Sequence, residues 1–531
     1  MVVPTTYEET FERAIHRVHD SFLIAERGGG HALLEWEPTA PETPEGERIV
    51  GVLPPCRPEQ LGDRSFCVDH RIRFPYVSGA MANGIASAEI VEAMGRAGML
   101  GIFGAAGLPL KTVEAAIDRL GRTLGPSIPY GFNLIHSPNE PDLEAAVAAL
   151  YLSRGIRLVE ASAYLDLTLP VVRYRVHGLR SNGDGNIVIP NRIIAKVSRV
   201  EVASKFLAPP PAKFLRELVA SGEITSEQAT LAARIPMADD VTAEADSGGH
   251  TDNQPAIVLL PTLLALRDRL QAEYRYERPL RIGAAGGIST PWAAAAAFAM
   301  GAAYLVTGSV NQGCVEAGTS DAVRKMLADA RQADIAMAPA ADMFEMGVKV
   351  QVLKRGTMFA MRAGKLFELY RAYEAIEQIP APDRTMLEKN FFKAPLETIW
   401  EQTQAYFQNR DPGQLDRAAR DAKHKMALVF RWYLGQSSHW ANAGEPSRTV
   451  DYQIWCGPAM AAFNEWVRGS FLERPEERRV VTVAGNILLG AAVLARARGL
   501  GAQGVALPSG TPRLAPLEPA ELAERLNMTN V

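Results

Sequence analysis

The sequence predicts an α/β chain: a (β/α)8 TIM barrel with a short N-terminal leader and a large helical C-terminal extension. Three observations predict it. Eight short β-rich runs recur between Phe74 and Gly308, most of them separated by segments with apolar residues at helical spacing. Small-residue turns follow the seventh and eighth runs. Beyond Gly308 the apolar residues fall three and four apart for most of the remaining chain. Parallel neighbours need a crossover connection, usually a helix. Eight such units in about 235 residues fit a barrel of about 250. A doubly wound open sheet is the structural alternative.

The elements follow in order. Residues 1–70 carry ETPEGE and VLPPCRPEQ and read as a leader of mixed structure. Residues 71–312 hold the barrel. Its strands are expected in FPYVSG, MLGIFG, IPYGFNL, RLVEAS, RIIAKVSR, DDVTAEA, LRIGAA and AYLVTG. After the fourth, RYRVHGLRSNGDGNIVIPN predicts a β-hairpin, because Asn-Gly and Asp-Gly tolerate φ > 0. It is expected to decorate the barrel mouth. Residues 313–531 form the extension, with helices in AGKLFELYRAYEAIEQIP, PLETIWEQTQAYFQNR and KHKMALVFRWYLG. It is expected to pack on the barrel, with a lid or docking surface as the sharper alternative.

Composition narrows the function. The chain has 531 residues, 47% apolar and 22% charged, which is ordinary for a globular protein. Its formal charge of −4 lacks the basic excess that nucleic acid demands. The longest apolar stretch, Trp292 to Val306, is about 15 residues, short of the roughly 20 of a membrane span. A buried helix and strand explain it. No signal peptide is visible, so the cytoplasm is expected and no membrane partner. Four scattered cysteines without CxxC exclude a disulfide framework and a zinc ribbon.

Several tracts carry chemistry. GAAGGIST (Gly283–Thr290) follows the seventh strand and opens a helix. Gly286 and Gly287 let backbone N–H groups approach a ligand, and the helix start adds partial positive charge. The eighth strand ends in TGS, with Gly308 and Ser309. The loops after strands seven and eight of such a barrel commonly bind phosphate. That phosphate belongs either to a substrate or to a flavin mononucleotide. The first strand ends in small residues, Gly79, Ala80 and Met81, against which a flat ring could lie. Asn133 closes the third strand. Lys196 on the fifth must be paired, for example with Glu160, or must serve a ligand as a cation. His250, in EADSGGHTD after the sixth strand, is placed to exchange a proton near neutral pH. Asp246, His250 and Asp252 are a conceivable metal set, but no further His or Cys supports one. GLGAQG (Gly499–Gly504) matches GxGxxG without a preceding strand, and neither a P-loop nor a GxSxG elbow occurs.

Taken together, YVSGAMANGIAS, GFNLIHSP, VEASAYLDLT, NRIIAKVSRVEVA, ADSGGHTDNQP, AAGGISTP and VTGSVNQ resemble the flavin-binding barrel of the nitronate monooxygenase (2-nitropropane dioxygenase) superfamily. MAPAADMFEMGVKVQVLKRGTMF, LVFRWYLGQSSHWA and DYQIWCGPAMAAFNEWV resemble one branch of it, the PfaD-type trans-acting enoyl reductases of polyketide and polyunsaturated fatty-acid synthases. The resemblance implies an enzyme with FMN as cofactor and NADPH as electron donor. It would reduce the 2,3-double bond of an enoyl thioester on an acyl carrier protein of such a synthase. By the same resemblance Gly79–Met81 and Asn133 line the flavin, Lys196 sits near its pyrimidine edge, Gly286, Gly287, Gly308 and Ser309 hold its phosphate, and His250 is the active-site histidine. Lys354, Arg355, Arg362, Lys365 and Arg371 form the densest candidate patch for an acidic carrier. A homodimer, a nitronate-oxidising flavoenzyme, a non-catalytic flavin-bound scaffold and a flavin-free barrel stay open at this point.

Overall fold

A computed structural model describes residues 7–27, 30–36, 48–138, 140–249 and 251–528. Eight parallel strands close into a barrel: β1 (Tyr76–Ser78), β2 (Leu100–Phe103), β3 (Gly131–Ile135), β4 (Leu158–Ser162), β5 (Arg192–Val197), β6 (Asp240–Glu244), β7 (Arg281–Ala285) and β8 (Leu305–Thr307). Each falls on one of the runs read from sequence, β3 running one residue past its run to Ile135. The strands are short and apolar because both faces are covered, by helices outside and packed side chains inside. Val77, Leu100, Ile102, Leu158, Ile194 and Val306 fill the interior. Helix boundaries obey local chemistry: Ser87 and Thr290 accept the N–H of Ile90 and Ala293 at helix starts, and Pro291 occupies the first turn of α1 (Pro291–Ala299).

The N-terminal end of the barrel is plugged by the helix Arg64–His70. Phe66 stacks on Tyr304 at 4.0 Å between ring centroids. Asp240, on β6, accepts from Arg281 Nε at 2.6 Å and lies 2.8 Å from His70 Nε2, all three buried. Arg281 also reaches Asp69 at 2.8 Å. Burial alone would raise the Asp240 pKa, but Arg281 and His70 outweigh it and hold it well below the usual carboxylate range.

The extension does three things. First, the antiparallel strands Ile335–Pro339 and Lys349–Leu353 pair, so it is not wholly helical; Val350 and Val352 alternate into the core. Second, α2 (Phe359–Ala372), α3 (Leu396–Arg410) and α4 (Ala422–Ala443) pack with this ribbon around Phe344, Phe359, Phe430 and Tyr433. Third, α5 (Val480–Ala502) returns to the barrel and packs along α1. Gly490 makes this approach possible, since a Cβ there would lie 2.6 Å from Pro291. This 23-residue helix is long and apolar enough to span a membrane, yet it is buried within the fold. Thr482, Asn486, Arg496 and Arg498 interrupt its apolar residues, so Trp292–Val306 remains the longest unbroken apolar stretch. Arg496 on α5 donates to the carbonyls of Ala14 and Asp20 at 2.9 Å and of Pro54 at 2.5 Å. Those bonds fasten the helix Tyr7–His16 and the three-stranded sheet of Phe22–Arg27, Gly30–Glu35 and Arg48–Leu53.

The expected hairpin after β4 is corrected in extent and place. RYRV completes the crossover helix Leu169–Val176, and only Arg180–Ser181 and Ile187–Val188 pair. The hairpin leads into the start of β5, which puts it at the end opposite the mouth. Asn191 fixes it there, donating to the carbonyls of Tyr174 and His177.

Asp240→Asn is expected to destabilise the fold by about 3 kcal/mol, as removal of one partner of a buried ion pair does, read from urea denaturation. The depressed Asp240 pKa sets the pH window. Its contribution is present above the ordinary aspartate range and is lost only as pH falls through the lowered value. Wild type and variant should therefore converge in strong acid.

Candidate active site

At the C-terminal end of the strands the barrel opens into a cavity of about 1170 Å³, mouth included. Gly79, Ala80, Met81, Asn133, Lys196, Gly286, Gly287, Gly308 and Ser309 all line it. Residues drawn from β1, β3, β5, β7 and β8 thus meet at one place. His250 lies outside the described residues; its neighbours Ser247, Gly248 and Gly249 are in the cavity wall.

The centre is charged. Lys196 Nζ lies 3.3 Å from Glu244 Oε1 and 3.7 Å from Glu160 Oε2. The three residues project inward from the adjacent strands β5, β6 and β4. Burial would strip the charge from Lys196, but the two carboxylates outweigh it and hold its pKa above the ordinary value. Burial raises the Glu160 carboxyl, only partly offset by Lys196 and by the N–H of Ala80 at 2.9 Å. Glu160 Oε1 is buried without a hydrogen-bond partner among the described residues. Asn133 donates to Ser162 Oγ at 2.7 Å and to the Glu160 carbonyl at 3.0 Å, which fixes its amide against β4.

The small residues have distinct reasons. Gly104 is required by close approach, because a Cβ there would stand 1.8 Å from the carbonyl oxygen of Met81. Gly286 (φ +82°) and Gly287 (φ +75°) turn the chain from β7 toward α1. A Cβ at Gly286 would strike Ala245, whereas Gly287 and Gly308 face open space among the described residues. The two turns therefore form a cradle of backbone beside the N-terminus of α1.

The extension completes the wall. Trp455 and Ala459 line the same cavity. They reach it because Gly248 and Gly457 let two loops pass in contact: a Cβ on Gly457 would lie 3.1 Å from the N of Gly248. Gln351 donates to Asp246 Oδ1 at 2.5 Å, and Asn253 donates to the same oxygen at 2.8 Å, so the loop after β6 is held from two sides. Asp252 is taken by Arg199 and Ser198. Both carboxylates considered for a metal are thus engaged by protein groups.

Sequence reading did not single out Glu244, Trp455 or Gln351. The tract AEADSGGH offers two acids, and only strand register shows that Glu244 points inward. The basic patch is thinned: Lys354 and Arg371 stay exposed, but the other three members have acidic partners. Arg362 is buried against Asp451, Arg355 reaches Asp334, and Lys365 reaches Asp383 at 3.1 Å.

Comparison with known proteins agrees with this architecture. The family model described as nitronate monooxygenase matches residues 65–366. A model described as the inserted helical domain of [acyl-carrier-protein] S-malonyltransferase matches residues 373–452, which cover α3 and α4. The chain is 51% identical over 456 residues to a polyunsaturated fatty acid synthase subunit of Thraustochytrium sp., covering 85% of this chain and 30% of that protein. It is 45% identical to polyketide biosynthesis protein PksE of Bacillus subtilis, covering 83% and 57%. The chain therefore spans little more than half, or less, of these relatives. The crystal structure of the enoyl reductase domain of MlnA, from the macrolactin biosynthesis cluster of Bacillus amyloliquefaciens, superposes with a TM-score of 0.79 at 41% identity. It covers 83% of this chain and 99% of that one.

Lys196→Met should leave Glu160 and Glu244 facing one another without a cation, at a cost of about 3 kcal/mol near neutral pH. The Glu160 carboxyl, already raised by burial, would lose the cation that partly offsets that rise. The variant is expected to gain more stability than wild type as pH is lowered from 8 to 5, checked by thermal melts across that range.

Proposed function

The chain belongs to the nitronate monooxygenase family, in the branch that holds the MlnA enoyl reductase domain, and we propose that it is an FMN-dependent enoyl reductase. It uses NADPH to saturate the 2,3-double bond of an enoyl thioester carried by an acyl carrier protein of a polyketide or polyunsaturated fatty-acid synthase. One observation carries the reading. A backbone cradle with open space, a paired lysine and a wall of small residues share one cavity at the mouth of the barrel. The near-complete coverage of a domain titled enoyl reductase supports the choice of reaction. The synthase relatives support the choice of partner.

The residues fit a flavin mononucleotide. Gly287 and Gly308 leave free the volume a phosphate needs, and Gly286, Gly287, Gly308 and Ser309 would hold it beside the N-terminus of α1. Gly79, Ala80, Met81 and Asn133 would line the ring system. Bound there, the flavin supplies the hydride that no side chain can provide. Lys196, kept positive by Glu160 and Glu244, would stabilise negative charge developing in the cavity. His250, in the loop whose neighbours line the wall, would place a proton on the α-carbon of the thioester. Trp455 and the loop around it would cover the mouth and exclude water. In the balanced reaction NADPH yields a hydride and solvent a proton, and both remain in the saturated product.

With NADPH and a crotonyl carrier-protein thioester, the flavin-loaded protein is expected to release the butyryl thioester, identified by mass. Oxygen-dependent oxidation of an alkyl nitronate in its place would overturn the reading. Gly308→Asp puts a negative charge into the cradle and is expected to weaken FMN binding by about tenfold or more, with the melting curve preserved. His250→Ala should lower turnover by about 10²- to 10⁴-fold with FMN retained. A loss below about fivefold would remove the histidine from the proton step.

A further inference from the structure

A second cavity lies between the barrel mouth and the helical part of the extension. It spans about 1290 Å³, open solvent at its mouth included. Ala82, Ala106, Ile135 and Trp455 stand in the walls of both cavities. One wall is a single face of α4, where Leu428, Trp432, Gly435 and His439 recur three and four residues apart. Leu143, Val350 and Phe407 face it from other elements. Asn83 donates to Ser438 Oγ at 2.8 Å and ties this face to the loop after β1.

We infer that this cavity receives the acyl chain of the enoyl thioester beyond the reacting double bond, so that the helical part of the extension selects chain length. The inference rests on the function proposed above. Three observations carry it. First, the cavity is continuous in its walls with the site where the double bond would react. Second, the arginines in its wall are spent, and Glu140 with them; Asp342 is the other acid there. Arg410 makes a two-pronged bond to Glu140 at 2.6 and 3.1 Å, and Arg431 reaches Glu345 at 3.4 Å. The phosphates of a dinucleotide would need unpaired cations here; an apolar chain needs none. Burial, with Arg410 nearby, also lowers the pKa of His439 and favours its neutral form.

Third, Gly435 stands in the interior of a 22-residue helix, where glycine is disfavoured. A Cβ there would meet no described atom within 4 Å, so packing does not require the glycine. What a larger side chain would do is intrude on the cavity. From Leu428 to His439 the lined face runs about 16 Å at the helical rise, room for an extended chain of roughly a dozen carbons.

The test compares crotonyl, 2-octenoyl and 2-dodecenoyl pantetheine thioesters in wild type, Gly435→Leu and Gly435→Phe. The Gly435 variants are expected to lower kcat/KM for the dodecenoyl substrate by about 20-fold or more, given about 0.8 kcal/mol per buried methylene. The crotonyl value should stay within about twofold, because the short chain ends before the obstruction. Leu143→Trp narrows the cavity from the opposite wall and serves if the helix variants fail to fold. A second readout needs no turnover. Saturated dodecanoyl pantetheine should quench tryptophan fluorescence of the wild type and bind about tenfold more weakly, or worse, to the variants. Unchanged dodecenoyl kinetics and dodecanoyl binding in folded variants would overturn the inference, as would equal losses for short and long substrates. If wild type reduces none of the thioesters, the proposed reaction fails, and the dodecanoyl binding comparison still decides the cavity.

Discussion

A lysine carried into the interior of a barrel must bring its counter-charges with it, and the pairing of Lys196 organises the site around it. Glu160 and Glu244 come from the strands on either side. Parallel register allows this: Glu160 pairs with Ile194 and Lys196 with Thr242, so inward positions on β4, β5 and β6 stagger past one another. The same carboxylates reach the loops. Glu160 accepts the N–H of Ala80, which sets the backbone after β1. Glu244 lies where it limits the loop after β6, since a Cβ on Gly249 would stand 3.0 Å from it. A change at Lys196 would therefore disturb charge and loop geometry together. Asp240, Arg281 and His70 close the opposite end by the same rule, with a buried carboxylate between two nitrogenous partners.

The extension has two physical roles, carried by different segments. α5 acts as structural support: it lies along α1 and fastens the N-terminal sheet through Arg496. The ribbon and α4 shape the mouth, through Gln351, Trp455 and the face of α4 that carries Gly435. The two loops cross where Gly248 and Gly457 face each other, a contact tight for any side chain, since a Cβ there would lie 3.3 and 3.1 Å from backbone nitrogens.

Much of the barrel was legible because its strands are short apolar runs and its turns carry glycines for stated reasons. Lys196 was legible as a residue needing a partner, and Glu160 as one candidate. Glu244 was not, because an acid in a tract of acids shows its direction only through register. The hairpin after β4 was read from its turn residues but placed at the wrong end; turn chemistry fixes local shape and says nothing of which face a loop serves. The ribbon Ile335–Leu353 had a signal in VKVQVL, whose valines alternate, and helical surroundings obscured it. In the basic patch, the pairing of Arg362, Arg355 and Lys365 was hidden because Asp451, Asp334 and Asp383 come from other segments. α5 escaped notice because Asn486, Arg496 and its glycines interrupt the apolar run, although Arg496 is satisfied by carbonyls far away in sequence.

The most direct test of the account is the absorption spectrum of the purified, FMN-loaded protein through one anaerobic cycle. The account predicts a flavin band that bleaches on addition of NADPH and returns in stoichiometric amount when an enoyl carrier-protein thioester is added. A band that bleaches but does not return with any enoyl thioester, and that only oxygen restores, would contradict the account. So would a protein that remains colourless with FMN supplied.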